Sequence, residues 1–257
     1  MYLFDTHAHP HLCTDTPLNA LVDRAKAAGL VGMMSVAIDL DSARDAIQQS
    51  EHYPGFIWPT AGIHPTSVAD DDQITELEAI IQAHDVYAIG ECGLDFYRDT
   101  NPSAGLQTDY FRAQLDIAKR YDLPVIIHAR HADAELVPIL LDYPDVPKVI
   151  HCFSSPWSVV EALLDTATWF SFTGIVTYTQ YDPEVVERLP LHRMMIETDC
   201  PYLTPQSHRG TANDPAFVSA ICAQIAAIKS LTPETVAAAT TQTAIDFFKL
   251  PTAVPAT

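Results

Sequence analysis

Histidines and carboxylates recur in this sequence just past short apolar runs. The first run leads into Asp5-Thr6-His7-Ala8-His9. Side chains two apart on a strand share a face, so His7 and His9 aim together. Two imidazoles so placed form a chelate for a borderline dication such as zinc, iron or manganese. Further along, Glu91 closes Tyr87-Ala88-Ile89-Gly90, His128 closes Val125-Ile126-Ile127, His151 closes Val149-Ile150, and Asp199 follows Ile196-Glu197-Thr198. Taken singly, each is equally well explained by a structural hydrogen bond. Six such residues at corresponding places argue for a metal centre, and hence for hydrolysis by ion-activated water.

The elements that must carry these residues are short runs rich in Val, Ile and aromatics, as expected of strands buried on both faces. Candidate strands cover residues 2–5, 31–38, 56–63, 86–90, 124–127, 148–150, 169–173 and 193–197. Between them the apolar period becomes 3.6. Phe111, Leu115 and Ala118 share one helical face after a start at Pro102-Ser103, and Val218, Ile221, Cys222 and Ile225 form a stripe after Asp214-Pro215. Thr232-Pro233-Glu234 opens the last helix, with proline at the first helical position. Eight strands alternating with helices predict a single-domain α/β fold, a (β/α)8 TIM barrel over residues 1–250 with a frayed tail at 251–257. In such a barrel the carboxyl ends of the strands converge on one face, where the candidate ligands would meet. An open doubly wound sheet is the alternative, but no Gly-x-Gly-x-x-Gly follows the first strand.

Composition narrows the function. The chain has 257 residues, 48% hydrophobic and 18% charged, enough for a sizeable core. Lys and Arg total 14 against 33 Asp and Glu, a formal charge of −19 that lacks the basic footprint of a nucleic-acid coat. Screening over roughly 8 Å still lets a local cationic site prevail at close range. Five cysteines without a Cys-x-x-Cys pair argue against a disulfide framework or a cysteine zinc site, and those following candidate ligands (Cys92, Cys152, Cys200) read as small buried residues. No apolar run reaches about 18 residues and no signal-like amino terminus is present, so the expectation is a cytoplasmic protein with no membrane association and no obligate protein partner.

Six motifs occur in order: His7-Ala8-His9, Gly62-Ile63-His64-Pro65, Gly90-Glu91-Cys92-Gly93-Leu94-Asp95, Ile127-His128-Ala129-Arg130, His151-Cys152-Phe153-Ser154 and Glu197-Thr198-Asp199-Cys200-Pro201-Tyr202-Leu203. Together they resemble the TatD family of metal-dependent deoxyribonucleases, within the amidohydrolase-like barrels, from residue 5 to about residue 250. The resemblance implies two divalent ions (Mg2+, Mn2+, Zn2+ or similar). His7, His9 and Asp199 would hold one, His128 and His151 the other, with Glu91 bridging both. Two dications outweigh the two carboxylates, so the centre stays cationic inside an acidic protein. The implied nucleophile is a hydroxide bridging the ions, its pKa lowered from 15.7 toward about 7, attacking phosphorus in line. Asp199 serves either as general base or as ligand alone.

Around this centre, Arg130 is placed to fork onto a phosphate or to pair with an acid. His64 is expected to contact substrate or buttress a ligand. Arg209 and Asn213 match a loop that lines the family's pocket, and Asp5, on the face of His7, is expected to orient an imidazole. Glu197 is expected to bond backbone only, and His52, His84 and His192 to be solvated. Four positions depart from the family pattern: His11 stands where an apolar residue is usual, His131 where an acid is common, Ala212 where a base is frequent, and Thr243 where asparagine is usual. None is a proposed ligand, but losing a basic residue beside the pocket weakens the case for a polymer substrate. The leading reading is therefore a phosphodiesterase acting on DNA ends. The same centre could instead cleave a small amide or ester, and a non-catalytic metal-binding barrel is the third reading.

Overall fold

The short Val- and Ile-rich runs do become strands, all parallel, in the computed structural model, which describes residues 1–69 and 72–251. They are β1 (Leu3–Ala8), β2 (Leu30–Ser35), β3 (Ile57–Pro59), β4 (Ile89–Asp95), β5 (Val125–Arg130), β6 (Lys148–Ile150), β7 (Thr168–Phe172) and β8 (Met194–Ile196). β1-β2-β3 and β4 through β8 form two continuous arcs. Single bridges, Ala61 with Ile89 and Ala8 with Cys200, join the arcs into a ring. The seams are made by Gly90 N–H donating to the Ala61 carbonyl at 2.9 Å and His9 N–H to that of Cys200 at 2.9 Å. The result is a (β/α)8 barrel in a single domain.

Helices follow the strands: α1 (Leu18–Ala27), α2 (Leu40–His52), α3 (Gln73–Ala83), α4 (Ala104–Tyr121), α5 (Asp133–Asp142), α6 (Trp157–Leu163), α7 (Glu184–Arg188), α8 (Val218–Lys229) and α9 (Pro233–Phe247). The expected starts are realised. Ser103 caps α4 by accepting from Leu106 N–H, and Thr232 caps α9 ahead of Pro233. Phe111, Leu115 and Ala118, like Val218, Ile221, Cys222 and Ile225, are buried against the strands. No single helix among the described residues is long and apolar enough to cross a membrane. Of the expected tail, residues 252–257 lie outside the described residues.

The strand ends differ from expectation in a way that matters for the site. β4 and β5 run through the candidate ligands Glu91 and His128 instead of stopping before them, because their ladder continues: Gly93 pairs with His128 and Asp95 with Arg130, while β1 takes in His7 and ends just before His9. Glycine permits this at position 93. Its φ is 139° and a Cβ there would lie 2.1 Å from the His128 carbonyl oxygen, so any side chain would force β4 away from β5.

Candidate metal centre

β1 brings His7 and His9 to the mouth with their Nε2 atoms 3.1 Å apart. The Nδ1 of His9 lies 2.8 Å from the Val36 carbonyl, a contact that makes Nδ1 the donor and turns the Nε2 lone pair inward. Asp199 arrives from just beyond β8 in a left-handed conformation (φ 57°), fixed where its N–H donates to the His7 carbonyl at 2.8 Å. Its Oδ1 lies 3.4 Å from His9 Nε2 and 3.8 Å from His7 Nε2. Glu91 Oε2 completes the group, 3.3 Å from His7 Nε2 and 3.6 Å from His9 Nε2. Tetrahedral ligands with bonds of about 2.1 Å stand about 3.4 Å apart, so His7, His9 and Asp199 have the spacing that one small dication needs, with Glu91 Oε2 beside the two imidazoles.

The other oxygen of Glu91 faces a second set. Oε1 lies 2.8 Å from His128 Nδ1 and 2.8 Å from His151 Nε2, and those nitrogens are 3.2 Å from each other. Carboxylates stand behind both rings: Asp95 Oδ2 is 3.1 Å from His128 Nε2, and Glu197 Oε1 is 3.5 Å from His151 Nδ1. Carboxylates behind ligating imidazoles orient the rings and raise their basicity. The sequence reading gave Asp95 no role, although counting by twos from Glu91 along β4 reaches it. Glu197 does more than the backbone bond expected of it. It accepts from Cys152 N–H at 2.6 Å and from the Ser171 hydroxyl at 2.6 Å while facing His151.

The charges of this cluster follow from burial and proximity. Burial pushes Glu91 up, but the adjoining His151, His64 and His7 outweigh it and hold the carboxyl well below its usual range. His151 is the reverse: burial pushes it down, and Glu91 and Glu197 carry it well above an ordinary imidazole. Burial likewise works against His9 and Asp199, and their mutual hydrogen bond with neighbouring charges leaves His9 raised and Asp199 lowered. Asp95, opposed by burial, is drawn down to about 2 by His128. Ionised carboxylates crowded among imidazoles demand compensating positive charge, which protons or dications can supply. Asp5 stays outside this balance, since burial lifts it to about 8 and leaves it largely neutral near pH 7.

Two expectations need correction. Asp5 does not orient an imidazole: its carboxyl accepts from His7 N–H, Thr198 N–H and the Thr198 hydroxyl, the last two tying β1 to the segment after β8. Asn213 does not line the pocket. It is buried, its amide donating to the Thr198 and Tyr202 carbonyls at 2.7 and 2.5 Å, so it braces the turn carrying Asp199. Arg130 and Arg209 are exposed, their guanidinium groups 3.7 Å and 4.7 Å from the ring centres of Tyr97 and Tyr178. His64 stands 3.6 Å from Glu91 Oε1 with its Nδ1 2.7 Å from the Thr66 hydroxyl, and burial lowers it to about 3. It therefore sits beside His128 as a neutral imidazole able to brace or to bind.

Among the departures, His11 packs edge-on to His9, His131 edge-on to Tyr97, Ala212 is exposed and Thr243 lies on α9. His52, His84 and His192 are exposed as expected, and all five cysteines are free, four of them buried.

The donor atoms fall into three trios, each within 4.8 Å: His7, His9 and Asp199; His7, Glu91 and His151; His64, Glu91 and His128. Against this geometry the comparisons with known proteins are informative. The family model described as TatD related DNase matches residues 4–249. The chain is 36% identical to the Bacillus subtilis protein named uncharacterized metal-dependent hydrolase YabD, over 96% of this chain and 99% of that one. It is also 36% identical to the 3'-5' ssDNA/RNA exonuclease TatD of Pantoea vagans, over 90% of this chain and 92% of that one. The crystal structure of YJJV, a TatD homolog from Escherichia coli K12, superposes with a TM-score of 0.88 at 26% identity, covering 97% of this chain and 98% of that one.

Proposed function

This chain belongs to the TatD related DNase family, and from that premise we propose that it is a metal-dependent phosphodiesterase trimming single-stranded DNA or RNA from the 3′ end. The observation that carries the reading is Glu91, whose Oε2 faces His7 and His9 while Oε1 faces His128 and His151. In this reading His7, His9 and Asp199 hold one dication, His128 and His151 a second, and Glu91 both. Ions of the Mg2+, Mn2+ or Zn2+ class held by these residues would supply an activated water, with a pKa near about 7, and positive charge beside the reacting phosphate.

The protein's own groups do the rest. Asp199 reaches His7 and His9 through Oδ1, so Oδ2 is assigned the proton of the attacking water. Its carboxyl is held below the usual range by His9 and His7 against the pull of burial, and so is ionised at neutral pH. Asp95 and Glu197 keep His128 and His151 aimed inward. Arg130 at the rim takes the phosphate, and Arg209 and His64 are further substrate contacts. With a net charge of −19, attraction is confined to the mouth, which suits strand ends better than a wrapped duplex. The relatives' names favour a phosphodiester over an amide or ester bond. A cytoplasmic setting belongs to the same reading, supported by five unpaired cysteines.

The test is turnover of an end-labelled single-stranded oligonucleotide across a dication series, beside a panel of acyl esters. Release of phosphate-terminated nucleotides only with metal supports the reading. Ester turnover without nucleotide release, or undiminished cleavage in chelator, would overturn it.

A further inference from the structure

Among the described residues the exposed large apolar side chains are Met1, Leu141, Leu164, Leu231 and two tyrosines, Tyr97 at 48% and Tyr202 at 54% exposure. The four aliphatic ones precede β1 or lie at helix carboxyl ends, away from the mouth. The tyrosines lie on it, one past β4 and one past β8. In a ring of eight strands those two are four places apart, so the loops that carry the two tyrosines leave opposite sides of the mouth.

Both are tied to the centre by their backbones. Tyr97 N–H donates to Asp95 Oδ1 at 2.9 Å, the carboxylate that holds His128. Tyr202 N–H donates to the Asp199 carbonyl at 2.8 Å, and its ring sits edge-on to His9 with centres 6.5 Å apart. On the Tyr97 side the Arg130 guanidinium lies over the ring and His131 meets its edge, so a phosphate-binding fork and an aromatic surface occupy one spot. Arg130 covers one face of Tyr97, yet both tyrosines keep about half their surface open to solvent beside the candidate metal ligands.

We propose that Tyr97 and Tyr202 are base platforms: on a single strand crossing the mouth, the bases flanking the scissile phosphate stack on these two rings, with Arg130 gripping the phosphate on the Tyr97 side. The assignment rests on the phosphodiesterase reading and extends it to the substrate's bases. A duplex keeps its bases stacked on one another, so this device selects frayed or single-stranded ends. Stacking tolerates any base, so it confers strand-state preference without sequence preference.

The experiment compares wild type, Tyr97→Ala, Tyr202→Ala and the two Phe variants on a single-stranded oligonucleotide and on the same oligonucleotide with abasic residues at its last two positions. KM is measured, together with binding by fluorescence anisotropy in the Asp199→Asn background. Each Ala variant should weaken binding of the normal strand about 5- to 150-fold and of the abasic strand less than about 2-fold, with Phe restoring wild-type behaviour. Ala variants that bind the normal strand like wild type, or lose equally on both strands, would overturn the platforms while leaving the phosphodiesterase reading intact. A wild type that cleaves neither strand with any dication would defeat that reading and the platforms with it.

Discussion

Within the barrel, two layers of side chains share the same strands and face opposite demands. In the lower layer Phe4, Met34, Trp58, Ile126, Val149 and Met195 close up with Phe247 and Phe248 at the end of α9. Two residues further along the same faces of three of those strands stand His128, His151 and Glu197, and Asp199 follows Glu197 by two. The apolar layer contributes folding free energy. The polar layer buries ionised groups that repay their desolvation only through one another or through a cation. A step of two residues thus separates what holds this molecule together from what it does, as the two ends of such barrels divide stability from activity.

That division can be broken by substitution. Phe248→Ala should cost about 3–5 kcal/mol of stability in denaturant titration while turnover per folded molecule is kept. Asp199→Asn should lower kcat about 100- to 10,000-fold with no loss of stability. If Asp199→Asn unfolds the protein, or if Phe248→Ala removes activity from folded molecules, the two layers are not separate in role.

A smaller effect sharpens the comparison. Asp95 touches no proposed ion, yet it fixes His128, so Asp95→Asn should weaken dication affinity about 10- to 100-fold by calorimetric titration. Unchanged affinity would make Asp95 merely a support for the turn at Tyr97 and Asn101.

The mildest expected effect is that of pH. His9, His128 and His151 bind protons more tightly than a free imidazole, because hydrogen bonds and charges from Asp199, Asp95, Glu91 and Glu197 overcome burial. Dications need these rings deprotonated, so protons compete with metal: affinity should fall as pH falls from about 8 to about 6 and recover as it rises. An affinity that is flat or rises on acidification would contradict the proposed ligands.

Much of this was legible in the residues because strand patterning is local. All eight strands lie where short Val- and Ile-rich runs predicted them, and the six candidate ligands do converge. What was not legible depends on contacts distant in sequence. Counting by twos puts Asp5 beside His7, but its carboxyl is taken up by Thr198, 193 residues away in sequence. Nothing local could show that the loop holding Asn213 folds inward to brace the Asp199 turn, or that Arg130 would lie over Tyr97. Asp95 was reachable by the same counting that found His9. The apolar run that marks β4 ends at Gly90, whereas Gly93 lets the strand continue to Asp95.

Metal stoichiometry bears most directly on the central claim that Glu91 joins two cation sites. Protein dialysed against Mn2+ or Zn2+ and assayed by elemental mass spectrometry should carry two ions per wild-type chain, one in His128→Ala and neither tightly in Glu91→Ala. A wild type that holds no ion, or a Glu91→Ala variant that retains both, would contradict it.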